Sequence, residues 1–251
     1  MSGHSKWATI KRKKAVTDAR RGKLFTQIIK EITIAAKLGG GHPEGNPRLR
    51  MAIDKAKEHN MPADNVKRAV MKGTGELPGV NYEDVVYEAY GPGGVAMIIE
   101  AVTDNKIRTV SEVRHALEHH HGKLASAGSV AFQFHRKGLV IIPRSAVAED
   151  DLMNVALEAG ADDLKVDDDS FTVVCPPDNY EAVRKAILDR GIRIESSEIH
   201  LVPDNTVHLE GKEAEGMVKL MEAIEDHDDI QHVFANFEID DKVLAGLAGS
   251  A

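Results

Sequence analysis

Residues 138–199 read GLVIIPRSAVAEDDLMNVALEAGADDLKVDDDSFTVVCPPDNYEAVRKAILDRGIRIESSEI, in which short apolar runs alternate with amphipathic stretches. Apolar runs rich in β-branched residues predict strands, and a 3.6-residue apolar period predicts helices. The predicted strands cover 138–142, 163–166, 171–174 and 192–199, and the predicted helices cover 149–159 and 179–189. The order βαββαβ is that of a ferredoxin-like domain, in which two helices cover one face of an antiparallel sheet. We therefore predict a ferredoxin-like domain over residues 135–204.

The segments on either side of this domain predict a second α/β domain. Residues 85–90 and 95–102 form a predicted hairpin around a glycine turn, and a helix with Val110, Val113, Arg114 and Leu117 follows. Much later in the chain, a strand, a helix and a strand are predicted over 207–210, 212–226 and 233–239. We expect these pieces to complete one discontinuous domain, residues 79–134 plus 205–240, with 241–251 as a C-terminal tail.

The first 78 residues predict a bundle of three short helices. The first helix begins near Thr17 and Asp18, the second begins at the N-cap Asn46 with Pro47 in the first position, and the third follows Pro62. Their inward-facing residues are predicted to be Phe25, Ile28, Ile29, Ile32, Ala36, Leu49, Ala52, Ile53, Ala56, Val66, Ala69 and Val70. The whole chain is thus predicted to be an α+β multidomain protein, with this bundle followed by two α/β domains.

Charge is distributed very unevenly along the chain. The net charge is −8, yet residues 1–75 hold 17 Lys and Arg against 6 Asp and Glu, giving +11. Residues 76–251 hold 15 Lys and Arg against 34 Asp and Glu, giving −19. A segment as basic as the first favours polyanions, whereas the acidic remainder repels them. The sequence therefore predicts that nucleic acid is bound at the N-terminal end.

The basic side chains of the bundle fall on the faces that its apolar residues leave free. Neutralising phosphates with such side chains releases counterions, which gives a salt-dependent and largely sequence-independent affinity. The predicted nucleic-acid-binding residues are Lys6, Lys11, Arg12, Lys13, Lys14, Arg20, Arg21, Lys23, Lys30, Arg48, Arg50, Lys55, Lys57, Lys67, Arg68 and Lys72. The alternative interpretation is a solvated basic face that only aids solubility. No helix with obvious base-reading side chains stands out, and Trp7 is interpreted as a packing residue.

No pattern in the sequence predicts catalytic residues, a metal centre or a cofactor. His115 and His119 have the i, i+4 spacing that some zinc sites use, but a polar helix end is the simpler interpretation. Cys175 is interpreted as a small core residue, and the acidic residues between 162 and 169 do not match a calcium loop. We therefore expect a protein that is not an enzyme.

Composition excludes several other classes of protein. One cysteine cannot form an internal disulfide, and no apolar run approaches the length of a membrane span. The basic N-terminal sequence also lacks the apolar core of a secretory signal. Only 4% of the residues are aromatic, so base stacking on extended aromatic surfaces is not the expected binding mode. We expect a cytoplasmic protein.

Three segments resemble the hallmark sequences of the YebC family, also called the YebC/PmpR family. They are GHSKWATIKRKKAVTDARRGKLFTQIIKEI, NPRLRMAIDKAKEHNMPADNVKRAVMKGTG and YEAYGPGGVAMIIEAVTDNKIRT. The resemblance covers essentially the whole chain and implies a helical N-terminal domain followed by two α/β domains, the middle one assembled from separated segments. Two departures are HHHGKLASAG at 119–128, where relatives tend to carry a glycine-rich turn with Asn, and Ile107, where a small polar residue is usual.

The resemblance also implies a nucleic-acid partner. Members of the family are described as cytoplasmic transcriptional regulators that bind promoter DNA, and mitochondrial relatives as translational activators. Bacterial relatives are also linked to the ribosome and to relief of stalling, which would make ribosomal RNA the partner. The choice between a DNA-binding regulator and a ribosome-associated translation factor stays open. An enzyme acting on RNA or nucleotides, the third hypothesis, would need paired acids or a metal in a cleft.

Overall fold

The computed structural model describes residues 18–167 and 169–240, with side chains from residue 22 onward. Within these residues the chain divides into two compact units. One consists of residues 132–206, and the other of the residues before and after them. The helical segment and the discontinuous α/β segment thus share one unit, and their separation into two domains stays a prediction.

The predicted N-terminal helices are confirmed as α1 (Asp18–Gly39), α2 (Pro47–Glu58) and α3 (Ala63–Gly73). The buried side chain of Asn46 joins the first two. Its Oδ1 accepts a hydrogen bond from the Leu49 amide at 3.1 Å, and its Nδ2 donates to the carbonyls of Ala35 at 2.8 Å and Gly40 at 2.9 Å. One amide therefore satisfies unpaired backbone groups at the end of α1 and at the start of α2.

Helix α1 is the central helix of its unit. Its residues 32–36 are all buried, which requires neighbours on more than one face. Ile28, Ile32 and Ala36 pack against residues of α2 and α3, including Leu49 and Ala69. Other faces of α1 contact the sheet described next. The basic face predicted to be free is therefore partly covered.

The α/β part of this unit begins with the predicted hairpin. Strands β1 (Glu83–Tyr90) and β2 (Ala96–Thr103) pair antiparallel around a turn in which Gly93 and Gly94 have φ of 68° and 77°. Side chains with a Cβ rarely adopt such angles, so the turn favours glycine. Helix α4 (Lys106–His119) and the short strand β3 (Lys123–Leu124) follow.

Residues 132–206 form the ferredoxin-like unit. The elements are β4 (Phe134–Pro143), α5 (Glu149–Glu158), β5 (Asp163–Val166), β6 (Ser170–Cys175), α6 (Tyr180–Asp189) and β7 (Ser196–Pro203). The strand order is β5-β6-β4-β7 with all neighbours antiparallel, which confirms the predicted topology. Strand β7 begins four residues later than predicted. Gly191 has a φ of 72° and the Ile192 amide donates to the Ile187 carbonyl, so Ile192 closes α6 instead.

The chain then returns to the first unit through β8 (Val207–His208), α7 (Gly211–Glu225), β9 (Ile230–Ala235) and β10 (Phe237–Glu238). Strand β9 completes an antiparallel sheet of order β3-β1-β2-β9, and α4 and α7 supply core residues against one of its faces.

The single strand predicted over 233–239 is interrupted at the buried Asn236. Its Oδ1 accepts a hydrogen bond from the Ala96 amide at 2.8 Å, and its own amide donates to the Ala96 carbonyl.

Replacing Gly73 with Ala tests the close approach of α3 to α1. An added Cβ would overlap the Thr33 carbonyl oxygen and lie 2.8 Å from the Ala36 Cβ. We expect Gly73→Ala to lower the free energy of unfolding by about 1–3 kcal/mol, the usual cost of overpacking, in urea titrations. Gly45→Ala is the control, since an added Cβ there meets nothing within 4 Å. Equal stabilities of the two variants would contradict the described packing of α1 on α3.

Candidate nucleic-acid interface

The predicted binding residues fall into three groups. Lys6, Lys11, Arg12, Lys13 and Lys14 lie outside the described residues, and Arg20 and Arg21 lie in α1 at positions whose side chains are not described. Their roles stay predictions. The remaining cations divide into those held in internal ion pairs and those exposed to solvent.

Lys30 was predicted to face phosphate, and the structure places it in the interior. Its side chain is only 9% exposed, and its Nζ lies 2.6 Å from Oδ1 of Asp229, whose side chain is 4% exposed. Nζ also donates to the Asp228 carbonyl at 2.9 Å. The prediction is wrong for Lys30, because the α/β part of the unit covers the face of α1 that was predicted to be free.

Asp229 is the centre of a buried polar cluster, here called the Asp229 cluster. Besides Lys30, its carboxylate accepts hydrogen bonds from Arg108 at 2.7 Å, Thr109 at 2.7 Å and Thr103 at 3.1 Å. Burial acts to raise the pKa of Asp229, but the hydrogen bonds from Lys30, Thr109 and Arg108 outweigh it and hold the pKa well below its usual range. The cluster thus joins α1, β2 and α4 to the loop before β9.

Two further predicted cations also tie the helices to the α/β part. Arg48 on α2 forms ion pairs with Glu31 of α1 at 2.6 Å and with Asp84 of β1 at 2.7 Å. The hydrogen bond to Asp84 is the main cause that raises the Arg48 pKa, against the opposing effect of burial. Lys23 lies 3.5 Å from Asp226. These contacts leave Lys23 and Arg48 less available to an external phosphate than the sequence indicated.

Five predicted cations remain exposed on the two outer helices, and we call them the outer cations. They are Lys55 and Lys57 on α2 and Lys67, Arg68 and Lys72 on α3. The side chain of Lys57 is 72% exposed and forms an i, i+3 pair with Asp54, while Arg68 donates to Asn65 at 2.6 Å. Arg50 is half-buried and donates a long hydrogen bond, 3.4 Å, to the Pro43 carbonyl.

The outer cations project away from the core of the helices. On α3 the buried residue is Ala69 and the half-buried apolar ones are Val66 and Val70. Arg68 and Lys72 are one turn apart on the opposite face, and the exposed Lys67 lies beside that face. Lysine ammonium groups on such a face can each contact a phosphate without fixing a base sequence. We therefore expect this surface to bind nucleic acid through its phosphates, with little direct reading of the base sequence.

Glu88 is a second buried carboxylate that the sequence did not single out. It accepts hydrogen bonds from the amides of Gly128 at 2.5 Å, Val130 at 2.7 Å and Ala131 at 2.9 Å. Burial acts to raise its pKa, and these backbone hydrogen bonds outweigh that effect and lower it. The carboxylate therefore fixes the loop that precedes the ferredoxin-like unit.

The structure also places the other side chains that were considered as chemical candidates. Cys175 is buried, and burial raises the pKa of its thiol. Within residues 18–167 and 169–240, no group of three His, Cys, Asp or Glu side chains is placed to hold a metal ion. In the same part of the chain, no helix is both long and apolar enough to cross a membrane.

Comparison with known proteins identifies the relatives of this chain. A family model described as the TACO1/YebC protein N-terminal domain matches residues 5–76, and one described as the TACO1/YebC second and third domain matches residues 82–237. The chain belongs to the TACO1/YebC family. It is 55% identical over 249 residues to a probable transcriptional regulatory protein of Koribacter versatilis, covering 99% of this chain and 100% of that protein. A protein of the same description from Pelodictyon phaeoclathratiforme is 53% identical, covering 98% and 99%.

A solved relative carries the same fold. The crystal structure of a conserved hypothetical protein from Aquifex aeolicus matches this TACO1/YebC chain with a TM-score of 0.81 and 44% identity. The match covers 90% of this chain and 94% of that one. The α+β architecture predicted from the sequence is thereby confirmed.

Asp229→Asn in this TACO1/YebC chain tests the Asp229 cluster. The variant leaves Lys30 buried without its counter-charge, so we expect it to lose about 3–5 kcal/mol in free energy of unfolding at pH 7. Because the folded pKa of Asp229 is lowered, its contribution is complete at neutral pH and declines only below about pH 4. The control Asp226→Asn removes an exposed pair and should cost less than about 1 kcal/mol. Equal losses in urea titrations would refute the assigned role of Asp229.

Glu88→Gln tests the anchoring of the loop. A glutamine presents one acceptor oxygen and an NH₂ group that cannot accept, so some of the backbone amides lose their hydrogen-bond partner. We expect the local stability of the loop to fall by about 1.5–3 kcal/mol. Hydrogen exchange should accelerate at the amides of Gly128, Val130 and Ala131. Glu118→Gln, at an exposed position, should leave these rates unchanged. Unchanged exchange in the Glu88 variant would show that the loop is held by other contacts.

Proposed function

We propose that this protein is a regulator of gene expression that binds nucleic acid through its helical N-terminal region, and that it acts on transcription by contacting DNA. The observation that carries the proposal is the solvent-exposed set of outer cations on α2 and α3 in a chain whose remainder is strongly acidic. The descriptions of its relatives as probable transcriptional regulatory proteins support the same role.

The electrostatic argument rests on which cations are free. Lys55, Lys67 and Lys72 form no ion pair with any residue that the structure describes, so a phosphate can replace water and counterions around them. The predicted binding residues that precede Gly22 in the sequence would add further positive charge to this surface. The acidic remainder carries the opposite sign and limits contact to one region of the chain.

The internal ion pairs have a separate role in the proposal. They hold α1 and α2 against the sheet, so the outer cations are presented by helices whose positions are fixed. A pre-organised cationic surface loses less conformational entropy on binding than a mobile one. The protein acts by binding alone, without catalysis or a cofactor, and we expect it in the cytoplasm.

The second candidate function is a ribosome-associated translation factor that binds ribosomal RNA. Four of the five outer cations are lysines, which contact phosphate as point charges and lack the bidentate geometry that reads guanine. Phosphate recognition of this kind suits structured RNA as well as duplex DNA.

Charge reversal of α3 tests the interface. We expect Lys67→Glu, Arg68→Glu and Lys72→Glu together to weaken binding to duplex DNA strongly and to reduce the slope of log affinity against log salt by about 2.7. The measurement is a fluorescence anisotropy titration at several salt concentrations, with circular dichroism to show that the variant is folded.

The matched control reverses three exposed cations on the ferredoxin-like unit, Lys165, Lys185 and Arg190, and changes the net charge by the same amount. If net charge alone governed binding, the two variants would weaken it equally. An affinity loss confined to the control would reject the assignment to α3.

Fractionation of a native lysate separates the two candidate functions. A translation factor would travel with ribosomes and leave that fraction after ribonuclease treatment. A transcriptional regulator would stay with DNA and be released by deoxyribonuclease. If the protein migrated free of both fractions at low salt after either nuclease treatment, that result would oppose the proposal that it binds nucleic acid.

A further inference from the structure

His115 and His119 lie one turn apart on α4, and both side chains are exposed. Their rings are stacked, with centroids 6.3 Å apart and an interplanar angle of 27°. His120 follows as the helix C-cap, and its ring meets that of His119 edge-on with centroids 4.9 Å apart. Three imidazoles therefore gather at the C-terminal end of one helix.

We propose that His115 and His119 form a surface site for Zn²⁺ or a similar divalent transition-metal ion, each imidazole giving one nitrogen. Zinc takes histidine nitrogens at about 2.0–2.1 Å, and two histidines at i and i+4 can share one ion on a helix face. To meet a common ion, the ring centroids must approach by roughly 1–2 Å, a movement that rotamer changes of exposed side chains allow.

The surroundings of the pair favour a cation. The unpaired carbonyls at a helix C-terminus carry partial negative charge, and His119 is the last residue of α4. Since the described residues offer no group of three ligands, water would complete the coordination, and the site is an open one.

Zinc titration of the full chain tests this site. After removal of bound metal with a chelator, Zn²⁺ alone is added and followed by calorimetry and by NMR of the histidine rings. In the wild-type chain the ring signals of His115 and His119 should shift together at one zinc concentration. In His119→Ala the affinity reported by the His115 signal should fall at least about tenfold, because one of two protein ligands is gone.

His208→Ala is the matched control, since His208 is exposed and has no histidine one turn away. It should leave the zinc response of His115 and His119 unchanged. Zinc bound elsewhere on the chain is common to all variants and does not enter the comparison. An unchanged response of His115 in His119→Ala, or no response of either ring in the wild-type chain, would overturn the proposal.

Discussion

The buried carboxylate of Asp229 is the interaction on which the arrangement of the helices depends. Lys30 of α1, Arg108 and Thr109 of α4 and Thr103 of β2 all converge on it. A carboxylate removed from water is tolerated only when its hydrogen-bonding capacity is satisfied. Displacement of α1 would leave the Lys30 ammonium without its counter-charge and would remove one of the two cations paired with Asp229. The cluster therefore favours one position of the N-terminal helices on the sheet.

This constraint divides the basic residues into two populations with different tasks. Lys30 and Arg48 form ion pairs within the protein, Lys30 with Asp229 and Arg48 with Glu31 and Asp84. The outer cations on α2 and α3 keep theirs in solvent, where counterions can be exchanged for phosphate. The charge of a basic segment is thus a poor measure of its binding surface until the internal pairs are known.

Much of the fold could be predicted from the sequence because its signals are local. The Asn46-Pro47 helix start, the glycine turn between β1 and β2 and the βαββαβ order each depend on residues close together in the chain. The role of Lys30 could not be predicted, since Asp229 lies 199 residues further along. The same applies to Asn236, which ends β9 by pairing with Ala96 across 140 residues.

The candidate site was predictable to a smaller extent. The sequence indicates a cationic region. Within it, Lys67 and Lys30 occupy equally plausible surface positions in a helical pattern, and only the structure shows that Lys67 is exposed and Lys30 is buried. Glu88 gave no signal, because an acid within a strand pattern shows nothing of the backbone amides that it accepts from.

Lysine footprinting tests the central claim most directly. The full chain is acetylated under limiting conditions with and without nucleic acid, and modification is quantified by mass spectrometry. The account predicts that nucleic acid protects Lys55, Lys57, Lys67 and Lys72, that Lys165 and Lys185 react equally in both states, and that buried Lys30 reacts slowly throughout. Protection of Lys165 and Lys185 with full reactivity of the α2 and α3 lysines would contradict it.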